Sequence, residues 1–218
     1  MAVATTRAAA PVSAVGRRRR PLVPHGWPIV GWAALGIGVL VAALLAVAGT
    51  GETGLRLVIR ATARTSIVLF TLAFVASSLA RTWPSPGSTW LIANRRYLGV
   101  SFAVSHLVHL LAILQLTGWS VRGFVAEAGV VLGVLGGLGY LFIAAMTATS
   151  FDRSAAWLGA RRWQRLHTAG VYYLWGVFFV SFAPRAPAAP LLYGPFALAL
   201  LAALALRLRA RRAGAAAA

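Results

Sequence analysis

Six apolar runs, each long enough to cross a bilayer as a helix, leave this 218-residue chain little choice of fold. A hydrocarbon core of roughly 30 Å takes about 20 helical residues. The runs cover residues 27–48, about 63–79, 98–116, 124 to about 147, 166–182 and about 191–206. Lipid-exposed strands would leave backbone groups unpaired, and the runs lack the alternation of a barrel strand. The fold class expected is therefore all-α, a polytopic membrane six-helix bundle. Breakers fall between the runs, at Pro84-Ser85-Pro86-Gly87 and from Pro184 to Pro190. Gly36 and Gly38 permit close packing of the first span. Gly129, Gly133, Gly136, Gly137 and Gly139 predict that the fourth is tightly wedged between neighbours. The domain reading is a disordered basic tail over 1–26, a membrane domain over 27–208 and a short Arg/Ala-rich tail over 209–218. Order is expected to end near Ala213.

Composition fits this frame. Hydrophobic residues make up 60% and charged residues 11%, where a soluble domain carries roughly 25% charged. The charge is also lopsided: 21 basic residues, all arginine, face Glu52, Glu127 and Asp152, for a net charge of +18. In a soluble protein a pI near 12.0 would point to nucleic acid. Here sixteen of the arginines fall in the tails and the connections after spans two and four. Only Arg56, Arg60, Arg64, Arg122 and Arg185 fall on the other side. The positive-inside rule then places both termini in the cytoplasm, and an even number of spans agrees. Spread over juxtamembrane segments, the excess marks topology and meets membrane lipids, with no nucleic-acid partner. A secretory signal peptide is the competing reading of the start, with Ala46-Val47-Ala48 as cleavage site. The apolar stretch exceeds the roughly 7–15 residues of such a segment, which favours a retained span.

The absence of cysteine excludes disulfides, thiolate metal sites and Cys nucleophiles. No acidic residue lies in mid-span, so paired carboxylates and an intramembrane proton relay are absent too. No inverted repeat with broken helices points to a transporter. Histidines carry the remaining chemistry. His25 precedes span one and reads as solvated or interfacial. His106 and His109 lie one turn apart on the same face of span three, about 60° apart around the axis. His167 lies just inside span five. Three histidines on two helices favour ligation over isolated polar packing. Zinc would want a further carboxylate or Cys ligand. Haem wants two axial imidazoles from facing helices, apolar walls and basic groups near its propionates. Phe102, Tyr172, Tyr173, Trp175, Phe178 and Phe179 supply such walls. Two histidines at i, i+3 cannot lie trans across one iron, so the pair is one from span three with His167. Depth favours His106 as the partner, since it lies one turn nearer His167.

Arg95-Arg96-Tyr97-Leu98-Gly99-Val100, followed by Phe102 and His109, resembles the third-helix signature of the ferric-reductase-like transmembrane domain family. Thr149-Ser150 and the stretch from Leu158-Gly159 through Trp163-Gln164-Arg165-Leu166-His167 are similar to that family's fourth-helix ending and Trp-x-x-Leu-His motif. The resemblance covers about residues 55–185 and is nearest to the haem-binding subunits of bacterial methionine sulfoxide reductase systems. It implies haem b and electron passage across the membrane, with His109, in motif register, and His167 as iron ligands. Where relatives carry a second fifth-helix histidine this chain has Val180 and Ser181, so one haem is expected. Arg95, Arg96, Arg161, Arg162 and Arg165 are candidates for haem propionates, a quinone head or the phosphate of FMN, against plain topology signalling. Trp163 is a candidate to stack on a flavin, against an ordinary interfacial role. With no nucleotide motif in the chain, a separate flavin reductase or quinol is the expected donor. An extracytoplasmic reductase or ferric iron is the expected acceptor. The alternative is a haem-free scaffold or small transporter subunit.

Overall fold

The computed structural model describes residues 23–216. Residues 1–22, most of the expected basic tail, and 217–218 lie outside the described residues. Helix is the only regular structure among the described residues. In chain order the helices are α1 (Trp27–Ala48), α2 (Glu52–Thr82), α3 (Pro86–Leu116), α4 (Val121–Ala128), α5 (Val130–Ala148), α6 (Asp152–Leu158), α7 (Ala160–Phe182) and α8 (Pro190–Ala216). Six of them, α1, α2, α3, α5, α7 and α8, are long and apolar enough to cross a membrane. The chain is a polytopic helical membrane protein. We call the face where α1 begins and α8 ends the terminal face, and its opposite the far face.

Helix ends follow local chemistry. Ser85 caps α3 by accepting from the Ser88 amide at 3.2 Å, while Ser88 Oγ accepts from the Ser85 amide at 2.9 Å. Pro86 then occupies the first turn, where its missing N–H leaves no gap in the hydrogen bonding. Several spans run further than hydropathy marks them. α2 begins at Glu52 and α3 at Pro86, because helix continues through polar turns that hydropathy assigns to loops. α8 stays helical to Ala216, past the expected loss of order at Ala213.

The largest departure is span four. The expected single helix breaks into α4 and α5 at Gly129, whose φ of 74° no L side chain adopts readily. The glycine wedge holds only in part: Gly133 and Gly139 are buried, with Phe124 3.4 Å and Leu174 3.6 Å from where a Cβ would stand. Gly136 and Gly137 would meet nothing within 4 Å if given a Cβ, and the same holds for Gly36 and Gly38 in α1. The tight pair is instead α2 and α3, which hold most of the buried positions.

Phe70, Phe74, Phe102, Phe178, Phe182 and Leu200 form the core where α2, α3, α7 and α8 meet. Lipid tails are as apolar as these side chains, so packing and interhelical hydrogen bonds hold such a bundle together. The buried polar residues supply the bonds. Ser66 Oγ donates to Ser105 Oγ at 2.9 Å, and Ser105 Oγ to the Thr62 carbonyl at 3.2 Å, tying α2 to α3. Large apolar side chains such as Trp32, Val39, Val131 and Leu141 face outward, where lipid would cover them.

Candidate functional site

A cavity of about 300 Å³ opens among α2, α3, α5, α7 and α8 towards the terminal face. Its apolar walls are Phe70, Phe74, Phe102, Ile143, Met146, Val171 and Leu174, with Arg95, Arg96, Asp152, Trp163, His167 and Arg207 as its polar and charged lining. Trp163 and His167 are four residues apart on α7, so both face inward, and their rings stack at 4.0 Å. Both are fixed from the end of α5. Trp163 Nε1 donates to the Thr149 carbonyl at 2.9 Å, and Thr149 Oγ1 stands 3.0 Å from His167 Nε2. The Thr149 hydroxyl also donates to the Ala145 carbonyl at 2.8 Å, which leaves its oxygen to accept from an Nε2–H.

The terminal face is knitted by charge and aromatic contacts. Arg96 Nη1 meets Asp152 at 2.6 Å, and its guanidinium lies 5.8 Å from both the Trp27 and Tyr97 ring centres. Arg95 donates to Ser77 Oγ. Arg207 reaches in from α8, donates to the Phe74 carbonyl at 2.7 Å and lies over the Phe74 ring at 4.5 Å. His25 is exposed but held beside the same face, its Nδ1 3.1 Å from Asn94 Nδ2.

His106 and His109 stand apart from this cavity. They lie deeper along α3, with their rings stacked at 5.1 Å. His109 Nδ1 is 2.9 Å from the Ile59 carbonyl, which can only accept. Nδ1 therefore carries the proton and Nε2 keeps its lone pair, the tautomer that metal-bound histidines commonly take. Thr62 Oγ1 stands 3.2 Å from the same nitrogen. His106 packs against Phe102, Tyr140 and Phe178, and its buried Nδ1 has no hydrogen-bond partner. Phe102 lines the cavity and touches His106 at 5.4 Å between ring centres, so it stands between the two.

Of the residues singled out by sequence, the structure brings Arg95, Arg96, Trp163 and His167 into one cavity and leaves His106 and His109 behind Phe102. No group of three or more His, Cys, Asp or Glu side chains fit to hold a metal ion occurs among the described residues. Arg162 is exposed and does not line the cavity, as are Arg161 and Arg165. One residue from Trp163 is about 100° around the helix, which turns Arg162 away. Sequence reasoning missed Arg207, whose position just past the last apolar run reads as tail. It also missed Thr149 and Asp152 as site residues, although Thr149-Ser150 stood out as a motif.

The site defines a helical membrane protein with an arginine-lined cavity at the face that carries the described ends of the chain. Among protein-family models, curated proteins and solved structures, none matches the chain.

Proposed function

We propose that this protein is an integral membrane electron-transfer subunit of the b-type cytochrome class, holding one haem between α3 and α7. The observation that carries the reading is the convergence of His167, Trp163 and three arginines on one largely apolar cavity. Part of the donor chemistry supports it: His109 offers a free Nε2 whose other nitrogen is already anchored, and the cavity's arginines could meet the acidic substituents of such a group. His167 and His109, with His106 as the alternative to His109, would hold the iron. Bound there, haem supplies a one-electron couple. The chain's own residues would orient it, through Trp163 and Thr149 on the α7 side and Ile59 and Thr62 on the α3 side. Apolar walls from Phe70 to Leu174 would keep bulk water from it. The resemblance over residues 55–185 to ferric-reductase-like membrane domains selects haem over zinc. Electrons would come from quinol or a separate flavin reductase on the arginine-rich side, taken as cytoplasmic, and pass to an extracytoplasmic reductase or ferric iron.

The test is an optical spectrum of protein produced with ample haem. A Soret band, and a reduced α-band in the b-type range after dithionite, are expected. His167→Ala should abolish both, and His109→Ala should do so where His106→Ala does not. Haem-supplied protein without Soret absorbance overturns the reading. A second reading, a haem-free membrane scaffold or transporter subunit, is favoured by one observation: Phe102 keeps the α3 histidines out of the cavity that His167 lines.

A further inference from the structure

We infer that Arg95 and Arg207, with Arg96, form a clamp for the oxyanion groups of an acidic amphiphile in the His167 cavity. This deepens the reading above by resting on the same cavity, but it does not require the ligand to be haem.

The inference comes from charge balance. Three arginines line the cavity against a single carboxylate, that of Asp152. Asp152 is 93% exposed and already spent on Arg96. The only other acidic side chains in the chain are Glu52 and Glu127, and both bond Arg56 at the far face. Arg95 and Arg207 thus have no acidic side chain to balance them. What they do have is neutral: a serine hydroxyl for Arg95, a backbone carbonyl and aromatic faces for Arg207. Arg95 and Arg207 line the same cavity as His167. Arg95 is exposed while Arg207 is half-buried, so the cost falls on Arg207, whose charge beside apolar walls is expensive unless a counter-charge joins it. Guanidinium groups are suited to that partner, since their planar forks match carboxylate and phosphate oxygens. Arg96 adds a buried Nε with no partner. The apolar wall opposite calls for a ligand with a greasy body, so a free inorganic anion does not match the whole cavity.

Carboxylates of a porphyrin and the phosphate of a lipid headgroup share this chemistry, and the arms of one experiment separate them. Protein in a neutral maltoside micelle is titrated with haemin and with haemin dimethyl ester, which lacks the two negative charges. Parallel samples in phosphatidylglycerol and phosphatidylcholine nanodiscs are compared by thermal unfolding. Haemin is expected to bind at least tenfold more tightly than its ester. That preference should collapse in Arg95→Gln and Arg207→Gln, survive in Arg207→Lys in proportion to retained charge, and persist unchanged in Arg209→Gln, an exposed arginine outside the cavity. The acid–ester comparison on unaltered protein needs no variant to fold. Equal binding of acid and ester, with no lipid preference, overturns the clamp. Tight haemin binding indifferent to Arg95 and Arg207 overturns the clamp and leaves the cytochrome reading standing. No haemin binding, but an Arg207-dependent stabilisation by phosphatidylglycerol, keeps the clamp with a lipid phosphate as occupant and removes the cytochrome reading.

Discussion

His109 is anchored through one ring nitrogen and open at the other, and that asymmetry sets what substitutions nearby should do. Thr62→Val removes the hydroxyl beside Nδ1 but keeps the Ile59 carbonyl, so a loss of about 1 kcal/mol is expected, read by thermal or denaturant unfolding in detergent. Trp163→Phe keeps an aromatic face on His167 but frees the Thr149 carbonyl, at a similar cost of about 1 kcal/mol. Phe102→Ala is different in kind. It empties a buried position at about 3–5 kcal/mol and removes the ring between His106 and the cavity. If the protein still folds, carbethoxylation of His106, mapped by mass spectrometry, should rise. Unchanged modification would mean that Phe102 is not the barrier. The histidines were legible in the sequence because ionisable residues inside spans are rare. Their separation was not, since it depends on which way Phe102 points. Arg207 escaped for a related reason: hydropathy counts where apolar residues stop, and cannot tell that a helix running on carries an arginine back over Phe74.

At the scale of elements, the break at Gly129 decides the far face. α4 carries Glu127, and Arg56 Nη1 reaches it from α2 at 2.6 Å while also holding Glu52 at 2.8 Å. The hydrogen-bonded Arg56 guanidinium holds the Glu127 carboxyl below the usual carboxylate range. A carboxyl depressed on folding contributes stability that is present above its unfolded value, near 4.3, and is lost as pH falls through the folded one. Protection of α4 amides, taken relative to their intrinsic exchange rate at each pH, should therefore fall in acid below about pH 4, and Glu127→Gln should remove that pH dependence. Gly129→Ala should loosen the same element at any pH, because the break needs positive φ. Gly54→Ala tests a close approach instead: its Cβ would fall 1.8 Å from the Gly49 carbonyl oxygen. Relief requires the α1–α2 turn to move, at about 1–3 kcal/mol. Six helices could be read from the runs because the bilayer fixes their length. The α4–α5 break could not, because one backbone angle at one of five glycines leaves no mark in hydropathy. The starts of α2 and α3 lie ahead of their apolar runs, since Arg56, Arg60 and Arg64 in α2, and Asn94, Arg95 and Arg96 in α3, continue a helix while interrupting the run.

For the whole molecule, the unequal arginine distribution and the even number of spans give one orientation to test. The chain lacks cysteine, so single cysteines report without background. Ser120→Cys at the far face should react with an impermeant maleimide in intact cells, and Ser154→Cys at the terminal face should not. The reverse pattern would invert the molecule and exchange its donor and acceptor sides. The cavity draws nothing from α1. That helix buries only Ile37 and exposes much of its length, where lipid would cover it, while the Gly26 amide hooks it to Asn94 at 3.0 Å. It is the earliest of the six spans in the chain, and an early arginine-flanked span commonly decides how those after it are threaded. On this reading, addressing and operation would be carried by separate parts of the chain. The middle of α1 is free to drift in sequence so long as it stays apolar, keeps Ile37, keeps Trp27 beside Arg96 and leaves the Asn94 hook in place. A 22-residue apolar helix that retains Trp27 and Ile37 but is otherwise unrelated, grafted after Gly26, should give a protein that faces the same way and binds the same ligand.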